Sequence, residues 1–190
     1  MEELVQQAKL QPDAFGQIYD MTVNALFRYC MVLTNGDSDR SWDLCSETYL
    51  RALETIQRYE SQGYQFTSYL YRIARNLHID EIRKKKREQV EMHSIVDEDG
   101  EIAGDDEDMP DTLLMMEEEE VERKGFLQEL KKHIGSLPQE EQEMLHMRFE
   151  KDMQYKEIGE VLGLPLSTVK VRFHRLFKKL QSRFAPPSLT

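Results

Sequence analysis

An all-α fold is predicted for this chain of 190 residues by three observations. Apolar residues recur at spacings of three and four through both halves, and no segment alternates with the period of a strand. Residues 155–180, YKEIGEVLGLPLSTVKVRFHRLFKKL, carry the spacing of a helix-turn-helix.

Composition bounds the rest. The chain can hold one large domain or two small ones, and its 39% apolar content supplies compact cores. No run approaches the roughly 18 apolar residues of a membrane span, and MEELVQQAKL lacks a signal pattern. An intracellular, cytoplasmic protein is expected. Cys30 and Cys45 fall at apolar positions of helical segments, which predicts buried free thiols and neither a bridge nor a metal site. The formal charge of minus 11 is unevenly spread. Residues 1–87 carry 12 basic and 12 acidic side chains, residues 88–122 none against 16, and residues 123–190 carry 13 against 8. The middle block repels itself and has too little apolar surface to offset its ordering entropy, so 88–122 is read as an acidic linker.

The elements follow in order. From Pro12 to Leu33, Phe15, Ile18, Tyr19, Val23, Leu26, Phe27 and Cys30 form an apolar stripe, and TNGDSD breaks it. From Asp39 to Tyr59 the stripe is Trp42, Cys45, Tyr49, Ala52, Ile56 and Tyr59, with Asp43, Glu47, Arg51 and Glu54 on another side. A third helix from Thr67 to Arg87 buries Phe66, Leu70, Ile73 and Leu77 and exposes Tyr69, Arg72, Asn76 and Arg83. LLMMEEEEVERKGFLQELKKHI has good helix formers throughout, so helix is expected from Leu113 onward. In the helix-turn-helix, Ile158 and Leu162 lie one turn apart, Gly159 is small where a second helix must approach, and Gly163 ends the first helix. Val169, Phe173, Leu176 and Leu180 then bury one stripe of the second helix.

Two surfaces carry chemistry. Lys170, Arg172, His174, Arg175, Lys178 and Lys179 lie away from the buried stripe, and a basic second helix is what a major groove receives. In RYESQGYQFTSYLYRIARN, Tyr59, Tyr64, Phe66, Tyr69 and Tyr71 are interleaved with Arg58, Arg72 and Arg75. Aromatics among arginines suit stacking on unpaired bases beside a phosphate backbone, which implies a separated strand. Phe66 by itself reads as core, while Tyr64, Tyr69, Arg72, Arg75 and Asn76 read as a binding set. No catalytic activity and no cofactor are expected: the five histidines are dispersed, without metal spacing, and there is no phosphate loop or nucleophile motif.

Both halves resemble the extracytoplasmic-function (ECF) group of bacterial sigma factors, within the sigma-70 class. DLCSETYLRA at Asp43–Ala52 is similar to the family's DLxQETFLRA, and SYLYRIARNLHIDEIRKKKR at Ser68–Arg87 to WLxxIARNxxxDxxRxxxR. LPQEEQEMLHMRF at Leu137–Phe149 and YKEIGEVLGLPLSTVKVRFHRL at Tyr155–Leu176 are similar to LPxxxRxxxxLRY and YxEIAxxLGxxxGTVKSRLxRA. The resemblance implies two helical domains: domain 2 over 1–87, binding core RNA polymerase and melting the -10 element, and domain 4 over 123–185, reading the -35 element as duplex. Residues 186–190 form a tail. It further implies a transcription initiation factor whose partners are core polymerase, promoter DNA and an anti-sigma factor.

By position, the resemblance assigns Gly63, Tyr64, Gln65, Phe66, Tyr69, Arg72, Arg75, Asn76 and Arg83 to the -10 element. It assigns Tyr155, Ser167, Thr168, Lys170, Val171, Arg172, His174, Arg175 and Lys178 to the -35 element. Asp43, Leu44, Glu47, Thr48, Leu50 and Arg51 match the surface that grips the polymerase clamp, and they are expected opposite the Trp42 stripe. Departures accompany the match: Trp42 and Ser46 replace acidic or amide residues, Tyr69 replaces Trp, Ser167 replaces Gly, and Val171 replaces Ser, exchanging a hydroxyl for a group suited to a thymine methyl. About 35 linker residues reach at most roughly 115 Å, enough for promoter elements two duplex turns, roughly 70 Å, apart. Two other functions stay open on the residues alone: a duplex-binding regulator acting without polymerase, and a helical protein-binding adaptor.

Overall fold

The computed structural model describes residues 1–11, 13–61, 63–92 and 118–184. Most of the acidic segment read as a linker, residues 113–117 of the expected helix and the whole tail 186–190 lie outside the described residues. The chain forms two compact units, one of Met1–Glu81 with Pro138–Thr190 and one of Ile82–Leu137. All described regular structure is helical.

In the first unit, α1 (Glu2–Leu10) precedes the three helices expected in the N-terminal half. Its acidic first turn and Lys9 in the last turn complement the helix dipole, and Val5 and Ala8 supply a short buried stripe. Lys9 Nζ donates to the Tyr59 carbonyl at 2.5 Å, and Gln57 Nε2 to the Lys9 carbonyl at 2.6 Å. Next, α2 (Asp13–Leu33) buries Phe15, Ile18, Leu26 and Cys30 as the stripe predicts. Tyr19, however, is exposed, and Thr22 and Tyr29 are buried in addition. Thr22 tolerates burial because its hydroxyl donates to the Ile18 carbonyl at 2.6 Å and meets the Tyr49 hydroxyl at 2.7 Å.

Helix α3 (Ser38–Thr55) starts at Asp37, whose carboxylate accepts from Arg40 N at 3.0 Å. A short 3-10 turn, Ile56–Arg58, ends it, before the expected Tyr59. The buried arc of α3 is Ser41, Leu44, Cys45, Thr48, Tyr49 and Ala52, so it is rotated from the expected stripe. Trp42 is 46% exposed and stacks on Phe27 at 4.3 Å, while Leu44 and Thr48 point inward. Cys30 and Cys45 are free and buried, as expected.

Helix α4 (Phe66–Met92) begins as predicted and continues beyond Arg87. It buries Phe66, Leu70, Tyr71 and Ala74, whereas Ile73 and Leu77 are only half-buried. Tyr71 is therefore core and not a stacking platform: its ring lies 4.2 Å from that of Tyr29, nearly parallel, and its hydroxyl donates to the Ala25 carbonyl at 3.0 Å. The second unit contains the end of α4 together with α5 (Glu118–Gly135), a helix with Lys132 and His133 in its last turn.

Back in the first unit, α6 (Gln139–Leu145) passes into a wider π turn, His146–Glu150. Helices α7 (Tyr155–Leu162) and α8 (Leu166–Phe184) form the helix-turn-helix. The cluster of buried apolar residues runs from Val5 through Ala74 and on through Met144, Met147, Met153, Ile158 and Phe173. One hydrophobic core thus draws on both ends of the chain.

Candidate nucleic-acid interface

The turn between α7 and α8 is built as its residues dictate. Gly163 adopts the left-handed conformation at φ 67°, where a side chain would be strained, and it ends α7. A Cβ on Gly159 would sit 2.7 Å from the Leu164 carbonyl oxygen, so only glycine admits this approach. Val169, Phe173 and Leu176 are buried, and Leu180 is half-buried. Opposite that stripe, Ser167, Lys170, Val171, His174, Arg175 and Lys178 are exposed, and Thr168 is half-buried. Four of these seven side chains can carry positive charge, which suits a helix laid against phosphates.

Arg172 and Tyr155 differ from that group. The Arg172 guanidinium is ion-paired with Glu140 of α6. Tyr155 is half-buried, its ring 4.8 Å from Phe173, with the Arg148 guanidinium over the ring at 5.4 Å.

The aromatic and arginine face forms around the loop before α4. Gly63 turns the chain at φ 81°, a left-handed conformation that favours glycine. Tyr59, Tyr64, Gln65, Ser68, Tyr69 and Arg72 line a cleft beside the loop together with Glu60 and Glu160. Tyr69 is fixed in it: its hydroxyl lies 2.6 Å from Thr55 Oγ1, its ring 4.8 Å from Tyr59, and the Arg72 guanidinium 5.7 Å from its ring centre. Lys156 Nζ lies 5.1 Å from the centre of the Tyr64 ring. Phe66 is buried, as its own reading predicts, and braces Tyr59 edge-on at 5.0 Å. Asn76 is exposed; Arg83, further along α4, is exposed and belongs to the second unit.

Acidic side chains that the sequence did not single out meet this face. Glu157 Oε1 accepts from Gln65 N at 3.2 Å and from Ser68 Oγ at 3.3 Å, and Glu160 lies 3.7 Å from Arg72. Arg75 Nε donates to Glu143 Oε2 at 3.0 Å, and its terminal nitrogen is 3.6 Å from Glu140. The buried Tyr29 hydroxyl donates to the same Glu143 oxygen at 3.0 Å. Burial pushes the Glu143 carboxyl up from its ordinary range, while the Arg75 guanidinium pulls it back. The faint sequence signal for Glu143 is its position one turn before Met147, on the buried side of α6.

The α3 face divides. Asp43, Glu47, Leu50 and Arg51 are exposed, with Leu50 at 60%. Leu44 and Thr48 are not on that surface: both are buried, and Thr48 Oγ1 donates to the Leu44 carbonyl at 2.7 Å. This corrects the expectation that all six residues lie opposite the Trp42 stripe. A short polar residue on a helix can satisfy its hydroxyl one turn back, so Thr48 enters the core without loss. Among the described residues no group of His, Cys, Asp and Glu is arranged to hold a metal, and no helix is long and apolar enough to cross a membrane.

A paired helical turn with a basic outer face, beside an aromatic and arginine cleft, defines a helix-turn-helix protein with a second surface suited to nucleic acid. The chain matches the family descriptions Sigma-70 region 2 over residues 18–88 and Sigma-70 region 4 over residues 134–182, together more than half of its length. It belongs to the ECF group of the sigma-70 factors. It is 29% identical to the ECF RNA polymerase sigma factor SigW of Bacillus subtilis, over 92% of this chain and 90% of that protein. It is also 29% identical to the ECF sigma factor BldN of Streptomyces coelicolor, over 95% of this chain and 64% of that one. Its fold is similar to that of the sigma factor RpoE, solved with the anti-sigma factor NepR from Bartonella quintana, with a TM-score of 0.63 and 21% identity over 90% of this chain and 98% of that one.

Proposed function

We propose that this chain acts as the promoter-selecting subunit of RNA polymerase, with its two nucleic-acid surfaces divided by the state of the DNA. As an ECF sigma factor it is a transcription initiation factor that works through core RNA polymerase and promoter DNA. The observation that carries the division is chemical. Lys170, His174, Arg175 and Lys178 stand exposed on one helix, while Tyr64, Tyr69 and Arg72 line a cleft. A cationic helix suits intact duplex, whose base faces are covered; ring faces and guanidinium groups suit bases that have left the stack.

In this reading residues 123–185 engage the -35 element through α8, with Lys170, Val171, His174 and Arg175 at base edges and Tyr155, Ser167, Thr168, Arg172 and Lys178 at phosphates. Residues 1–87 engage the -10 element through Gly63–Phe66, Tyr69, Arg72, Arg75, Asn76 and Arg83. Flipping a base out costs a few kcal/mol, which the aromatic cleft offsets by stacking. The exposed Asp43, Glu47, Leu50 and Arg51 grip core polymerase, Leu44 and Thr48 support that face from inside, and residues 88–122 bridge the two promoter elements. The protein works in the cytoplasm without catalytic chemistry of its own, and an anti-sigma factor holds it in check.

Reconstituted transcription tests this. Core polymerase plus this chain should initiate at defined sites recovered from a random-sequence library. A chain that binds duplex but adds no promoter-directed synthesis is a regulator of another kind.

A further inference from the structure

Valine occurs twice within three residues of α8, and packing sends the two copies opposite ways. Val169 is wholly buried, whereas Val171 is 48% exposed. The helix cannot turn to hide Val171. Val169, Phe173 and Leu176 fill the core, and Val169 Cγ2 lies 3.5 Å from where a Cβ on Gly159 would stand, so α8 is seated on α7 through the first valine. On the outer face, Ser167 lies one turn before Val171, Lys170 beside it, and His174 and Arg175 one turn after, all of them exposed. One branched apolar group thus stands in the middle of a cationic and hydroxylic surface. Such a group neither donates nor accepts a hydrogen bond, so against most base edges it strips a polar atom of water and returns nothing. One feature of the major groove is apolar, the C5-methyl group of thymine, and a cytosine methylated at C5 presents the same group. A β-branched side chain has one strongly preferred rotamer on a helix, so the methyl groups of Val171 are held in place before any contact is made.

We propose that Val171 is a specificity-determining residue that reads a pyrimidine 5-methyl group, that of a thymine in the -35 element, by apolar contact. This rests on the duplex reading of α8. The helix also fixes where the thymine stands. Val171 and Arg175 are four residues apart, about 6 Å along the helix axis, and successive base pairs rise about 3.4 Å. The methyl group therefore lies within two base pairs of the base that Arg175 reads. Cytosine at that place turns its amine toward valine, which has no acceptor to offer, and is disfavoured. Methylation of that cytosine restores the apolar contact, so the same residue makes the element responsive to a methyl mark.

The test uses the full chain assembled with core polymerase, on a promoter that this complex recovers from a random-sequence library. Each thymine of the -35 element is replaced in turn by deoxyuridine, which removes the methyl group and leaves base pairing unchanged. One replacement should weaken binding about fourfold, the worth of one buried methyl group. That position should lie within two base pairs of the one that Arg175→Ala relaxes. At the same place 5-methylcytosine should bind about fourfold more tightly than cytosine, which separates the methyl group from the rest of the thymine edge. Val171→Ser should bring both ratios close to one and leave the urea midpoint unchanged, since the site is exposed. An element with no uracil-sensitive thymine overturns the proposal, as does a sensitive position outside that window. Ratios that survive Val171→Ser overturn it because another residue then reads the methyl group. A response to thymine and none to 5-methylcytosine overturns it too, since the contact is with the methyl group alone. Weaker binding on Arg175→Ala with no methyl effect removes this proposal and leaves the duplex reading of α8 standing. If neither Arg175→Ala nor scrambling of the whole element alters binding, the duplex reading itself falls and takes the proposal with it.

Discussion

Arg175 and Lys178 lie one turn apart on the exposed side of α8, and their chemistry separates their roles. A guanidinium can bond a guanine edge at two points, whereas an ammonium is a point charge suited to a phosphate. Arg175→Ala in the polymerase complex should cost roughly 1 to 3 kcal/mol and relax one base position. Lys178→Ala should weaken all sequences alike and flatten the salt slope by about one unit. Gel-shift titrations over salt distinguish them, and identical behaviour of the two variants would remove the distinction. Gly159 is a purely steric case at the same scale. Gly159→Ala must displace the Leu164 carbonyl 2.7 Å away, and overpacking of this kind costs about 1 to 3 kcal/mol in a urea melt. A gain in stability, as alanine normally brings to a helix, would show that the turn yields freely.

At the scale of an element, α3 shows how one residue's rotation reassigns a surface. Its buried arc contains Leu44 and Thr48, while Leu50 and Glu47 face outward. Leu50→Asp should therefore leave stability within about 0.5 kcal/mol yet lower the affinity for core polymerase. Leu44→Asp should destabilise the fold by several kcal/mol, because it buries an unpaired charge. Thermal melts paired with a polymerase pull-down check both. Equal stability of the two variants would contradict the rotation. The shift has two causes: Trp42 stays half-exposed by stacking on Phe27 of the neighbouring α2, and Thr48 closes its own hydroxyl onto the helix.

At the scale of the molecule, His146 links the end of the chain to α2 and α4. It is buried, 3.4 Å from the Tyr71 hydroxyl and 3.5 Å from Glu150, with its ring 5.7 Å from that of Tyr29. Burial holds it below its ordinary value of 6.5, helped by Lys151 and Arg28 and opposed by Glu150. The unfolded chain therefore takes up a proton below pH 6.5 that the folded chain refuses. Its contribution is full above that pH and falls as pH drops toward the lowered folded value. Glu143 works in the opposite sense, since a carboxyl raised by burial gains stability on protonation. The difference between wild type and His146→Gln isolates the histidine. Urea midpoints at about pH 7.5 and pH 5.5 should show a smaller acid loss in the variant. Parallel losses would mean that His146 is protonated in the folded protein.

The all-α class, the helix-turn-helix with Gly163 at its turn, and the exposed cations along α8 were legible in the residues themselves. Each depends on local spacing: an apolar stripe, a glycine where φ must be positive, cations on the side left over. Helix α1 escaped because two buried residues, Val5 and Ala8, make too short a stripe to stand out. What only the tertiary structure decided is which partners those surfaces meet. Whether Leu44 or Trp42 faces the core, and whether Tyr71 stacks on a base or on Tyr29, depends on a neighbouring helix and not on α3 or α4 alone. Arg75 and Glu143 are 68 residues apart, and no local periodicity relates them. Their pairing follows from one core formed by both ends of the chain, which brings charges together that the sequence keeps far apart.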